Sequence, residues 1–271
     1  MKNSATFEIL CVTMNQSDFS KIGEMNIHSN VLFANQADSV RADRLDFEGH
    51  KARMITTDSR GVGVNRNIAL SFAEADICLL ADDDIRYENG LEEKIMREFA
   101  RYPDADVFIF NVDSDDDSRV PVKYSKTRKH RAFERMPWGA VRIAFRLSSV
   151  RKANVWFSLL FGGGAKFPSG EDSIWIAELK RHGLKIYLSS ETIGTVSYKE
   201  STWFTGYDER FFFGKGAYCG AAHPKSAWLR MIYYANRYRN NGEMPYKEKK
   251  KWIKRGYEAY KELKSFDFYS K

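Results

Sequence analysis

Asp76-Ile77-Cys78-Leu79-Leu80-Ala81-Asp82-Asp83-Asp84 is an apolar run of strand length that passes straight into three consecutive carboxylates. Ahead of it, Met54-Ile55-Thr56-Thr57 predicts a short strand and Asp58-Ser59-Arg60-Gly61-Val62-Gly63 a turn. Val64, Ile68 and Phe72 then mark the expected buried stripe of a helix ending near Ala75. Behind the carboxylates, Leu91 to Arg101 has the spacing of an amphipathic helix, and Asp106-Val107-Phe108-Ile109-Phe110 that of another buried strand. Toward the N-terminus, Phe7 to Thr13 and Asn30 to Ala34 are two more strand runs, separated by enough chain for a crossover helix. Such alternation predicts an α/β fold, an open and mostly parallel sheet with helices on both faces. Ligands of such sheets bind beyond the carboxyl ends of the strands, where the three aspartates fall.

The chain has 271 residues, 43% of them apolar, enough for one large domain or a core domain with an appendage. Lys and Arg number 43 against 36 Asp and Glu, a net charge of +7 that excludes an acidic disordered chain. No apolar run approaches the roughly 18 residues needed to cross a bilayer, and charges appear before a secretory signal can form, so a cytoplasmic address is expected. Cys11, Cys78 and Cys219 are widely spaced and read as reduced core thiols. The positive charge is concentrated: from Lys225 to Lys271 there are thirteen Lys or Arg against five Asp or Glu, interleaved with aromatic residues. Ile253, Tyr257 and Tyr260 form a stripe expected to pack this tail on the domain as a helix. Contact with an anionic membrane surface is the second reading, and nucleic acid is not an expected partner.

Alternation along a strand predicts that Asp82 and Asp84 share a face while Asp83 points away. Gathered carboxylates repel unless neutralised. Hard oxygen ligands favour magnesium, manganese or calcium, whose usual companion is a phosphate or diphosphate. The bland alternative is a charged turn, with Asp84 or Asn89 as a helix cap. A second constellation, Arg60-Gly61-Val62-Gly63-Val64-Asn65-Arg66-Asn67, puts two glycines and two arginines at a helix start, where backbone N–H groups favour anions. Gly61-x-Gly63 also resembles half a dinucleotide fingerprint, but Arg66 stands where the third glycine belongs, which makes a nicotinamide enzyme the weaker reading. A third, Gly162-Gly163-Gly164 to Gly170-Glu171-Asp172, leads into a helix expected from Ser173. A carboxylate there suits a general base or a simple helix cap. Ser201-Thr202-Trp203-Phe204 offers aromatic surface for stacking on sugar, or core. Asp113, Asp115, Asp116 and Asp117 lack the spacing of a calcium loop and read as solvated. Val141 to Arg146 alternates as a half-buried strand.

In this order, Arg66-Asn67, Asp82-Asp83-Asp84 and Gly170-Glu171-Asp172 resemble glycosyltransferase family 2, the inverting nucleotide-sugar transferases of GT-A fold. The resemblance runs from Phe7 to about Gly216. Val12-Thr13-Met14-Asn15-Gln16 and Ser201-Thr202-Trp203-Phe204 look like bacterial members that build capsular and other surface polysaccharides. The resemblance implies a GT-A domain over 1–216, with a Rossmann-like, mostly parallel sheet, and a helical, basic C-terminal extension over 217–271. By the same resemblance Asp84, with Asp82, would ligate manganese or magnesium on the donor diphosphate, and Asp82 or Asp83 would lie near ribose or sugar hydroxyls. Asp172, beside Glu171, would be the base. Thr13, Gln16, Asn35 and Asp38 would surround the nucleotide base, Arg60, Gly61, Arg66 and Asn67 the phosphates, and Trp203 the sugar. This sequence departs from the family at Asn35-Gln36-Ala37-Asp38, where an Asp-Asp-Gly-Ser-like stretch is common. It departs again at Ser197-Tyr198-Lys199, where a histidine metal ligand is often found. The implied partners are a UDP-sugar donor, a glycan or polyprenyl-linked acceptor, and an anionic membrane surface on the cytoplasmic face. A nicotinamide oxidoreductase and a non-catalytic nucleotide- or glycan-binding module are the competing classes.

Overall fold

The computed structural model describes residues 5–117, 120–131, 134, 139–197 and 206–263. Strand β1 (Phe7–Met14) is buried at every residue but its last, as a strand covered on both faces must be. It pairs in parallel with β2 (Asn30–Gln36), where Cys11 lies opposite Phe33, and with β5 (Ile77–Asp82), where Leu10 lies opposite Leu80. On one side β2 continues in parallel to β4 (His50–Thr57), and β4 pairs antiparallel with β3 (Arg41–Phe47). On the other side β9 (Ile143–Arg146) runs antiparallel between β5 and β7 (Val107–Ser114). Beyond β7 lie β10 (Ile186–Val196), parallel to it, and β6 (Ile85–Tyr87), antiparallel to β10, while two-residue β8 (Arg128–Lys129) also pairs with β10. The chain leaves β1 toward one edge of the sheet and leaves β5 toward the other. A crevice therefore opens at the carboxyl ends of these two strands, the usual ligand position in an open α/β sheet.

Several expected elements take a different form. The crossover between β1 and β2 contains one helical turn, α1 (Lys21–Glu24). The hairpin of β3 and β4 was not legible because β3 is polar and mostly exposed. Its turn is Glu48-Gly49, both with positive φ (48° and 84°), the two-residue connection whose twist matches a hairpin. In α2 (Val62–Phe72) the expected stripe of Val64, Ile68 and Phe72 is not the buried one: Phe72 is exposed, and the inward face is Val62, Asn65, Arg66, Ala69 and Leu70. Polar side chains with hydrogen-bond partners have rotated the helix away from its apolar periodicity. Of the half-buried strand expected over Val141–Arg146, Ile143–Arg146 forms β9, which is covered on both sides and leads into helix α4 (Leu147–Ala153), while Val141 and Arg142 belong to a 3-10 turn; the Arg146 guanidinium is satisfied by the carbonyls of Ala105 and Phe99. Helix α3 (Leu91–Arg101) matches its expected bounds, and its buried Glu98 accepts from Ser189 Oγ (2.9 Å) and Thr127 Oγ1 (2.7 Å).

The chain divides into two compact units. The first, residues 1–60, 64–156 and 179–200, holds the whole sheet and a core that includes Phe33, Leu79, Phe108 and Phe110. The second comprises residues 61–63, 157–178 and 201–271, so the division differs from the expected boundary at 216, which falls inside α6 (Glu209–Ala222). Its core gathers Phe161, Phe167, Phe212, Phe213 and Trp252. Within it α6 meets α8 (Tyr246–Glu262) at glycines: a Cβ on Gly216 would lie 1.8 Å from the Ile253 carbonyl oxygen, and one on Gly256 1.9 Å from that of Phe213. The tail is therefore a packed helix, with Trp252, Ile253, Gly256 and Ala259 inward. Its fully buried Lys249 donates to the carbonyls of Tyr238, Arg239 and Asn241 at 3.2, 2.8 and 2.7 Å, closing the end of α7 (Ala227–Arg237).

Candidate functional site

Asp82 is the last residue of β5, opposite Val12 on β1, and Asp83-Asp84 form the turn into β6. Strand alternation thus ends at Asp82. Asp83 accepts a hydrogen bond from the Thr13 hydroxyl, next to Val12 on β1, and it is Asp83, not Asp82 as expected, that shares a cleft with Asp84. Asp82 Oδ1 accepts from Arg66 Nη2 at 2.9 Å, in an ion pair whose arginine is 3% exposed. Asn65, its neighbour on α2, donates to the carbonyls of Ala34 (2.7 Å) and Thr13 (3.2 Å), which fixes α2 against the ends of β1 and β2. An Asn early in a helix, where it makes no cap, was the available sign of this inward bond. Asn67 is half-buried, its carbonyl accepting from Ser71 Oγ at 2.8 Å.

Asp84 differs from the other two carboxylates. Its Oδ1 is buried and has no hydrogen-bond partner, and its carboxyl is pushed up to about 7, first by burial and then by the charges of Asp82 and Asp83. The Tyr87 hydroxyl is also buried without a partner, and is held well above the usual phenol range by burial, then by Cys11, Asp82 and Asp84. Asp83 and Asp84, with Glu24, Arg86, Asp115 and Ser197, line a cleft of about 360 Å³, in which Ser197 Oγ donates to Asp115 Oδ2 at 2.7 Å. An orphaned carboxyl oxygen among further carboxylates at an open cleft suits a divalent cation. Among the described residues, however, no three His, Cys, Asp or Glu side chains are gathered for one ion; Asp82 is paired with Arg66 and Asp83 is hydrogen-bonded by Thr13.

Gln16 and Asn35 are brought together. Asn35 Oδ1 accepts from Gln16 N (3.0 Å), and Asn35 Nδ2 donates to Gln16 O (2.9 Å) and Thr56 Oγ1 (3.1 Å). Arg41, which the sequence did not single out, braces the same loop by donating to the Gln16 and Ser17 carbonyls, each at 3.2 Å. Asp38 is exposed and ion-paired with Arg60, whose guanidinium also donates to the carbonyls of Ala37, Asp58 and Ser59. Arg60 thus ties its own loop together.

In the second unit the two glycine-rich stretches, read separately in the sequence, form one structure. Val62 N donates to the Gly163 carbonyl at 3.0 Å, taking a helix-start N–H that the phosphate reading assigned to an anion. A Cβ on Gly162, where φ is 101°, would lie 2.4 Å from Val62 Cγ1, and one on Gly164 3.2 Å from the Gly61 Cα. These glycines allow backbones to touch. Helix α5 (Glu171–Arg181) begins two residues earlier than expected. Buried Glu171 accepts from Gly170 N at 3.1 Å, and half-buried Asp172 accepts from Ser173 N at 2.6 Å, both in the first turn, where the helix dipole favours anions. Tyr218 on α6 stands nearby, its hydroxyl pushed up to about 12 by burial and then by the Asp172 charge; nothing in the sequence signals that proximity. Trp203, with Ser201, Thr202, Phe204, Tyr198 and Lys199, lies outside the described residues.

Residues 34–156 match the family described as Glycosyl transferase family 2. No curated protein matches the chain. Among solved structures it is similar to S. aureus TarS 1–349 in complex with UDP-GlcNAc, at 13% identity and a TM-score of 0.54, over 96% of this chain and 73% of that one. The same fragment in complex with UDP gives 12% identity and a TM-score of 0.52 over 94% and 71%. S. aureus TarS itself gives 11% and 0.51 over 90% of this chain and 41% of that chain. At these identities the likeness concerns the fold.

Proposed function

We propose that this chain is a glycosyltransferase of family 2 with the GT-A fold, and that it moves a sugar from a UDP-sugar to a hydroxyl of a glycan or polyprenyl-linked acceptor, with inversion, in building a surface polysaccharide. The observation that carries this reading is the buried, unpartnered carboxyl oxygen of Asp84 at the crevice between β1 and β5. The UDP-GlcNAc and UDP complexes of similarly folded TarS support the donor class.

Asp84 and Asp82 would hold a magnesium or manganese ion, which when bound supplies positive charge facing the departing diphosphate. Arg66 keeps Asp82 oriented, and Thr13 keeps Asp83 beside them for ribose or sugar hydroxyls. Gln16 and Asn35 form the rim for the nucleotide base. Asp172, in the first turn of α5, takes the proton of the acceptor hydroxyl. The acceptor oxygen bonds to the anomeric carbon as the bond from that carbon to the diphosphate oxygen breaks. Glu171 braces the turn that presents Asp172. The basic tail would rest on the anionic cytoplasmic face of a membrane, where a lipid-linked acceptor resides.

Heat unfolding with UDP, UDP-GlcNAc and NAD, each with and without manganese, tests the reading. At a hundredfold excess over Kd a ligand adds about 2.7 kcal/mol of stability. Stabilisation by UDP-GlcNAc that deepens with manganese is expected. Stabilisation by NAD alone would instead favour an oxidoreductase, and donor binding without transfer a binding module.

A further inference from the structure

Helix α7 presents an outward face at odds with a helix resting on a water-exposed domain. Its inward side is Ala227 and Ala235, with Met231 and Tyr234 packed on the core of the second unit. The opposite side should be polar. Instead it carries Trp228, Leu229, Ile232 and Tyr233, which are 61, 52, 52 and 43% exposed. Their spacing of i, i+1, i+4 and i+5 gathers them on one surface, with exposed Arg237 at its margin. Single exposed apolar residues are ordinary, but four on one helix face mark a contact surface.

Charge decides what covers it. The segment from Lys225 onward has thirteen cations against five anions. The exposed side of α8, in the same unit, is Lys247, Lys250, Lys251, Lys254 and Lys261, while its apolar residues are already packed inward. A second copy of the chain would bring the same positive charge to the contact. An anionic bilayer brings the opposite charge together with an apolar interior. Trp and Tyr pair an apolar ring with a polar tip, which suits the depth of the headgroups. No helix among the described residues is long and apolar enough to cross a membrane, so the contact would lie in the plane of the interface.

We infer that α7 docks on an anionic lipid bilayer, with Trp228, Leu229, Ile232 and Tyr233 entering the boundary between headgroups and acyl chains, and the α8 lysines adding attraction over a Debye length. The inference deepens the membrane part of the proposed function and rests on that reading for its purpose, but its test does not require transfer.

The full chain is sedimented with phosphatidylcholine vesicles containing none or about a third phosphatidylserine, at low and high salt. Binding to the anionic vesicles that weakens with salt is expected, and Trp228→Ser with Ile232→Ser should weaken it by about tenfold or more. Brominated lipids should quench tryptophan fluorescence in the parent and much less in Trp228→Phe, a readout that survives if the double variant folds poorly. The inference is overturned if vesicles do not bind, if the α7 variants bind as the parent does, or if the apolar face instead drives self-association that Trp228→Ser abolishes. UDP stabilisation with manganese, measured on the same samples without lipid, reports separately on the donor site. If it persists without vesicle binding, only the docking surface is lost.

Discussion

Arg66 Nη2 lies 2.9 Å from Asp82 Oδ1, so the arginine that opens α2 is committed to the first carboxylate of the triplet. Breaking a buried pair leaves a charge without its partner and usually costs about 3–5 kcal/mol; Asp82 is partly solvated, so the lower end applies. Arg66→Ala should lower unfolding free energy by about 3 kcal/mol, and Arg66→Lys should restore only part of it because an ammonium lacks the fixed donor fork. Denaturant titration of both variants checks this.

Asp84 gives the protein a pH signature. Its carboxyl is raised to about 7 in the fold, so its contribution to stability is fully present below the ordinary carboxylate range and is lost as pH rises to about 7, beyond which it changes no further. Allowing for partial screening, the loss is about 2 kcal/mol. Asp84→Asn should flatten this slope between about pH 4 and 7, and manganese should stabilise the parent but not the variant near pH 8. Unfolding midpoints measured across pH, with and without the ion, carry the comparison.

Asp172→Asn keeps the shape of the α5 start but removes the proposed proton acceptor. Turnover should fall by about 10²–10⁴-fold, with donor affinity little changed. Wild-type turnover in this variant would remove Asp172 from its assigned role. Calorimetry with UDP beside a transfer assay separates the two parameters.

Gly216 and Gly256 let α6 and α8 approach backbone to backbone. Alanine at either should cost about 3 kcal/mol or more, because the atom met is main chain and cannot swing away. Gly23, with nothing within 4 Å of its Cβ position, is the control, and alanine there should stay within about 1 kcal/mol of the parent. Thermal melts of the three variants suffice.

What the sequence determined by itself was the part written in contiguous chemistry. Runs such as Ile9 to Val12 and Ile77 to Ala81 are apolar on both faces and settle as interior parallel strands, which sent Asp82-Asp83-Asp84 to the carboxyl edge of the sheet. Tertiary structure decided wherever a polar side chain found a distant partner. Asn65 and Arg66 face inward on α2 in place of its Val64, Ile68 and Phe72 stripe, where two carbonyls and a carboxylate satisfy them. The turn after β5 brought Asp83 and Asp84 to one cleft, and Gly61 to Gly63 met Gly162 to Gly164 across a hundred residues of chain that no local pattern connects. Periodicity reports which residues prefer to leave water; it carries no information about which buried polar atom another part of the chain will satisfy.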